Sequence, residues 1–142
     1  MQIPLLHDNH HHVSLYAALS SCVDLSTMGA QAARSLLFSQ PADRLTILRG
    51  WKTNELQLSA DDLANLPPVM LINFSLHGFV LSDAARPYLE AAQPELLTHA
   101  DDQKWCEAHV PESFSAWCGL TGFDAGRLDA IHRVLRGRGI GS

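Results

Sequence analysis

Three consecutive histidines close behind a short apolar segment are the feature that most constrains this sequence. Residues 3–6 are apolar, and residues 8–12 have the sequence Asp-Asn-His-His-His. In an extended strand alternate side chains share a face, so His10 and His12 point one way and His11 points the other. The pattern predicts a buried strand whose carboxyl end carries two imidazoles on one face.

Two imidazoles on one face of a strand can bind a divalent cation, because imidazole nitrogen is a ligand for zinc, iron, nickel and manganese. Asp8 shares that face, where its carboxylate is a further ligand or an acceptor that fixes a histidine tautomer. We therefore predict a metal site, most simply for zinc, with His10 and His12 as ligands. A solvated turn or a tag remnant is the plain alternative, although a tag is usually longer than three histidines.

Composition and charge exclude several other classes of protein. The chain of 142 residues is 46% hydrophobic and 18% charged, which is typical of one globular domain. With a net charge of −5, the chain lacks the basic surface that is typical of a nucleic-acid-binding protein. No segment approaches the apolar length needed to span a membrane. Three cysteines without Cys-x-x-Cys spacing indicate reduced thiols, so we expect a cytoplasmic protein.

Apolar spacing predicts an alternating, helix-rich α/β chain. Apolar residues at helical intervals predict a helix over residues 13–22. Residues 44–49 and the continuous apolar run 69–74 predict strands, the second of them buried, with a turn at Gly50 and Trp51. Short polar residues that can cap a helix N-terminus precede further helical segments, at Ser26, at Ser59 with Asp62, at Ser82 with Asp83, and at Asp124.

Residues 5–13 resemble the first barrel strand of the amidohydrolase superfamily, in which Asp-x-His-x-His supplies two metal ligands. Later segments are similar to the branch of N-substituted formamide deformylase-like hydrolases. Residues 47–51, Ile-Leu-Arg-Gly-Trp, are similar to its Gly-Arg-Gly-Trp segment, and residues 67–78 to its Pro-Val strand and His-Gly loop. Residues 135–142 are similar to the stretch that leads into the next core strand.

The resemblance implies a partial (β/α) TIM-barrel segment of α/β class with a helix-rich insertion after the first strand. Residues 1–142 would form one incomplete domain, with the first barrel strand and metal motif in 1–12 and the insertion in 13–142. A complete barrel needs about 250 residues. In the family a metal-bridging lysine, two further histidines and a catalytic aspartate come from later strands, which this sequence does not include.

The implied activity is metal-dependent hydrolysis of a C–N bond in a small amide, cyclic amide or formamide, with the chain inactive on its own. The catalytic base lies outside this sequence. His77, beside Gly78 at the end of a predicted strand, is a candidate for the substrate pocket, and so is Trp51. The plain alternatives are a loop hydrogen bond for His77 and core packing for Trp51.

Two other interpretations stay open. The chain is alternatively a non-catalytic globular remnant or interaction domain that retains the His-x-His motif. A phosphoesterase of the polymerase-and-histidinol-phosphatase type also begins with His-x-His, but no Ser-Asp-Gly-like segment follows His12. Because residues 3–6 and 69–74 would lack strand partners in a partial barrel, we also expect self-association through exposed strands.

Overall fold

Strands and helices alternate along the first half of the chain, and short helices dominate the second half. The computed structural model describes residues 6–7, 13–122, 124–138 and 140–141. Its strands are β1 Leu6–His7, β2 Val23–Asp24, β3 Thr46–Trp51, β4 Val69–Asn73, β5 Phe79–Leu81 and β6 Ile140–Gly141. Its α-helices are α1 Val13–Leu19, α2 Ala30–Phe38, α3 Ala60–Asn65, α4 Arg86–Ala92, α5 Pro94–Leu97, α6 Gln103–Ala108, α7 Val110–Leu120 and α8 Ala125–Gly137, and a 3-10 turn, Asp83–Ala85, precedes α4.

The larger sheet has four strands in the order β2-β3-β4-β5. β2, β3 and β4 run parallel, and β5 returns antiparallel to β4. Parallel neighbours require crossover connections, usually helical, and α2 and α3 lie in the two crossovers. The mixed α/β class predicted from the sequence is therefore confirmed.

Alternate side chains of β4 enter two separate hydrophobic cores, one on each face of the sheet. Val69 and Leu71 pack into a core formed with α2 and with Leu63 of α3, which we call the two-helix core. Met70 and Ile72 pack into a larger core formed with α1 and α4–α7, which we call the large core. The sheet is thus the middle of three layers, helix on sheet on helix.

The expectation that residues 69–74 would lack strand partners is wrong. β4 pairs with β3 on one side and with β5 on the other, and Val69 through Ile72 are completely buried. Burial on both faces explains why this segment is a continuous apolar run and not an alternating one.

A β-bulge in β3 replaces the turn expected at Gly50 and Trp51. Leu48 pairs with Leu71, but the next pair joins Trp51 to Asn73, so β3 has one residue more than β4 in this interval. Gly50 has a φ of +77°, which glycine adopts at little cost. The extra residue shifts the alternation, and Trp51 therefore packs on the same core as Leu48.

Two of the predicted helix caps are confirmed. Ser59 and Asp62 form a reciprocal capping box at the start of α3, and the side chain of Asp62 also pairs with Arg34 of α2. Asp124 accepts a hydrogen bond from the backbone N–H of Arg127 at 2.9 Å and caps α8.

The prediction for Ser26 is wrong, and the prediction for Ser82 is right in position only: the helical turn Asp83–Ala85 follows Ser82, but the Ser82 side chain does not cap it. α2 begins after Gly29, and Ser26 instead donates its backbone N–H to Asp24 Oδ1 at 2.9 Å. The buried hydroxyl of Ser82 donates to the carbonyl oxygen of Pro67 at 2.7 Å and accepts the N–H of Val69 at 3.0 Å. Tertiary hydrogen bonds to the start of β4 have therefore replaced the local cap.

A second, two-stranded sheet joins the two ends of the described chain. β1 runs parallel to β6, with Leu6 opposite Ile140 and His7 opposite Gly141. α8 leads into β6 and packs against α1, yet none of its residues is buried. Within the described ranges no helix is long and apolar enough to cross a membrane.

We expect Asp62→Asn to destabilise the fold at neutral pH and to lose this effect in acid. The Arg34 side chain and the N–H of Ser59 bind the Asp62 carboxylate and lower its pKa from 3.8 to about 2. A carboxylate whose pKa is lower in the folded protein than in the unfolded chain stabilises the fold at pH values above its unfolded pKa. This stabilisation disappears as the pH falls toward 2.

Urea unfolding at pH 6, 4 and 2.5 measures this difference between wild type and Asp62→Asn. Asp43→Asn, which removes an exposed carboxylate from a loop, is the control for the loss of one charge. A difference that stayed constant or grew toward pH 2.5 would contradict the assigned role of Asp62.

We expect Gly50→Ala to lower the free energy of unfolding by about 2 kcal/mol or more, because a side chain is strained at positive φ. A Cβ at Gly50 would also lie 2.5 Å from Asp24 Oδ1 and 3.0 Å from the backbone nitrogen of Ser26. Gly137→Ala is the matched control, since a Cβ there meets no atom within 4 Å. Equal unfolding free energies for the two variants would refute the bulge geometry.

Candidate functional site

The predicted metal motif lies between the end of β1 and the start of α1. Asp8, His10 and His12 are outside the described residues, but β1 ends at His7 and α1 begins at Val13. The motif therefore connects a strand to a helix. In α/β barrels the loops that follow the carboxyl ends of the strands carry the active-site residues.

Trp51 lies at the carboxyl end of β3, where it packs against the two-helix core. Its Nε1–H donates to the carbonyl oxygen of Leu56 at 2.9 Å. The side chain is half-buried, and the hydrogen bond ties the segment after β3 back to the strand. This placement favours the packing interpretation of Trp51, a residue that lies at the carboxyl edge of the sheet.

His77 lies in the exposed loop that joins β4 to β5. Its backbone N–H donates to Asn73 Oδ1 at 2.9 Å, and the same oxygen accepts from the hydroxyl of Ser75 at 3.2 Å. Leu76 has a φ of +62°, which lets the chain reverse before Gly78. Within the described part of the chain the imidazole of His77 makes no hydrogen bond, so it is free to contact a ligand.

The structure brings Trp51 and the His77 loop to the same edge of the sheet. The N–H of Phe74 donates to the carbonyl oxygen of Trp51 at 2.8 Å, which anchors the start of the loop to β3. Phe74 is 61% exposed, and the Lys52 ammonium lies 5.5 Å from the centroid of its ring. Carboxyl edges of parallel strands are where ligands bind in open α/β sheets.

No sequence pattern indicates the ion pair that joins β2 to β3 at this edge. Arg49 Nη2 lies 2.8 Å from Asp24 Oδ2, and the two residues meet only because the strands pair in register. Burial alone would raise the pKa of Asp24, but hydrogen bonds from Ser26 and the charges of Arg49 and Lys52 outweigh it and lower the pKa. Asp24 is therefore ionised at neutral pH and orients the Arg49 guanidinium.

Cys22 lies close to two guanidinium groups but is not activated by them. Burial raises the pKa of its thiol, and the positive charges of Arg49 and Arg127 oppose this effect only in part. The thiol is the form that is neither a nucleophile nor a good metal ligand. Cys22 is thus a packing residue against the large core.

Comparison with known proteins assigns no relative to this chain: no family model, curated protein or solved structure matches it. Among the side chains that the structure describes, no group of three or more histidines, cysteines or carboxylates is arranged to hold a metal ion. Asp8, His10 and His12 lie outside that set, and their role stays a prediction.

Proposed function

We propose that this chain is a segment of a metal-dependent amidohydrolase that hydrolyses C–N bonds of amide, cyclic amide or formamide type. The observation that supports the proposal best is the parallel pairing of β1 with β6. It supplies a strand whose carboxyl end leads directly into the Asp-x-His-x-His motif.

Successive core strands of a (β/α) barrel are parallel neighbours joined by helical crossovers. β1 and β6 have this relation, and α8 is the helix that enters the second of the two strands. The four-stranded sheet lies wholly between them in the sequence. On this proposal, β2 through β5 and their helices are an insertion after the first barrel strand.

Two features of the β1–β6 pair support further strands beside it. Parallel sheets occur almost only with both faces covered, and a two-stranded pair is marginally stable by itself. α8 exposes apolar surface as well: Val134 is 49% exposed and no residue of the helix is buried. Additional barrel strands and helices would cover this surface.

The donor set in the sequence that follows β1 fits a zinc-like ion. His10 and His12 would bind through neutral imidazole nitrogens, and the Asp8 carboxylate would be a further ligand or accept a histidine N–H. A bound divalent ion would lower the pKa of a water molecule and polarise the substrate carbonyl. Stable zinc sites have three or four protein ligands, so on this proposal the remaining ligands and the catalytic base come from strands outside this sequence.

We expect the chain to bind Zn²⁺ weakly through His10 and His12. Isothermal titration calorimetry at pH 7.5 should show binding by the wild-type chain that is lost in the double variant His10→Ala/His12→Ala. The double variant His99→Ala/His109→Ala is the matched control, because it removes two histidines from another part of the fold. Equal zinc affinity in the two double variants would favour the non-catalytic interaction domain.

We also expect the purified chain to have no appreciable turnover with zinc, because a positioned proton shuttle contributes about 10²–10⁴-fold to catalysis. The assay uses formamides, dihydropyrimidines and hydantoins with the zinc-loaded chain, and the His10→Ala/His12→Ala variant sets the background. Turnover that required both zinc and these histidines would show that the chain holds a complete site, and the proposal that it is a segment would fall.

A further inference from the structure

Two imidazole rings stack on the indole of Trp105. The centroid of the His99 ring lies 3.8 Å from that of the Trp105 ring, with an interplanar angle of 4°. The centroid of the His109 ring lies 4.6 Å from it, with an interplanar angle of 12°. His99 follows α5, Trp105 belongs to α6 and His109 directly precedes α7, so one stack of rings joins three helical segments.

α6 depends on few side chains for its attachment to the rest of the fold. It has six residues, Gln103–Ala108, and a helix of this length is not stable by itself. Of its described residues only Cys106 is buried, and Trp105 is half-buried. α6 is therefore attached mainly through these two residues. Local opening of such a segment needs less free energy than global unfolding of the domain.

The two imidazoles of the stack have different surroundings. His109 Nδ1 lies 3.0 Å from the carbonyl oxygen of Trp105, and because a carbonyl oxygen only accepts, Nδ1 carries a hydrogen and donates it. His109 also lies between the C-terminus of α6 and the N-terminus of α7, whose dipoles act on a positive charge in opposite directions. The closer and more nearly parallel ring is that of His99, which lines a surface cavity together with Glu95 and Glu112. His99 is therefore the imidazole that is better placed to carry a positive charge.

Carboxylates outnumber cations in the region around the His99 ring. Glu95 comes from α5 and Glu112 from α7, and both line the cavity beside the ring. The other charged side chains of this region are the carboxylates of Asp101, Asp102 and Glu107 and the cations of Lys104 and Arg86. A surplus of negative charge favours the protonated form of an imidazole over its neutral form.

We propose that the stack of His99 on Trp105 is a pH-sensitive clamp, which holds α6 more tightly when His99 is protonated. The quadrupole of an indole attracts a cation that lies over its face, so a proton on His99 adds a cation–π contact to the existing stack. Histidine side chains ordinarily change charge between pH 5 and 8. The added contact is present on the acid side of this range and is lost as the pH rises. This device is independent of the metal motif and of the proposed hydrolase activity.

Amide hydrogen exchange of the whole chain at pH 5.5 and pH 8, corrected for the intrinsic pH dependence of exchange, measures the local opening of α6. The reporters are the N–H groups of Cys106 and His109, which donate to the carbonyl oxygens of Asp102 and Trp105 at 3.1 Å and 2.9 Å. We expect an opening constant that is about 2- to 5-fold smaller at pH 5.5, the factor that corresponds to a cation–π contact at an exposed site. The N–H of Leu63 in α3 should show no such change.

His99→Phe separates the charge of the clamp from its stacking, because phenylalanine keeps a ring on the indole but takes no proton. The opening constant of α6 in this variant should be the same at both pH values. His132→Phe changes a half-buried histidine of α8, and as the matched control it should keep the wild-type ratio. Asp101→Asn should keep the ratio as well. It removes a carboxyl whose pKa is raised by burial, and asparagine tolerates the φ of +65° at this position.

Equal opening of wild-type α6 at the two pH values would overturn the proposal. A pH dependence that survived in His99→Phe, or that disappeared in Asp101→Asn, would overturn it as well. NMR of the wild-type chain tests the clamp even if His99→Phe fails to fold. The ring nitrogen shifts of His99 report its charge, and the indole N–H shift of Trp105 should follow the same titration curve. Independent titration of the two signals would contradict the clamp.

Discussion

Burial of β4 between two hydrophobic cores is the interaction on which the rest of this structure depends. Each side chain from Val69 to Ile72 is completely buried. Successive side chains point to opposite faces of the sheet, so each face has its own hydrophobic core. Both helical layers therefore pack on the same strand. Ser82 fixes the start of this strand through its hydrogen bonds to Pro67 and Val69, so the register of β4 and the position of the turn after β5 are set together.

The sequence predicted the parts of the fold that local chemistry determines. The apolar run of β4 and the capping box of Ser59 and Asp62 are specified by neighbouring residues, and the structure contains both. β2 and β5 have two and three residues, too few for a periodic pattern, and they exist because longer strands pair with them. The bulge at Gly50 was missed for the same reason, since it is defined only by the register of β3 against β4.

The candidate sites also divide into those that local sequence specifies and those that tertiary contacts create. Asp8, His10 and His12 were found from spacing along one segment, whereas Trp51 and the His77 loop come to one edge only when β3 and β4 pair. The Asp24–Arg49 ion pair depends on the pairing of two strands that are distant in the sequence. Sequence patterns detect ligands that are close in the chain and miss contacts that strand pairing creates.

The order of strands in the larger sheet has a consequence for how the chain folds. Because β2, β3, β4 and β5 are spatial neighbours in the order of the sequence, each pairing closes a shorter loop than a pairing between the two ends of the chain, and a shorter loop costs less entropy. The β1–β6 pair instead joins the two ends of the described chain, a loop closure whose entropic cost grows with length. The packing of α1 on α8 holds those ends close together, so the terminal strands pair at a lower entropic cost once these two helices are in contact.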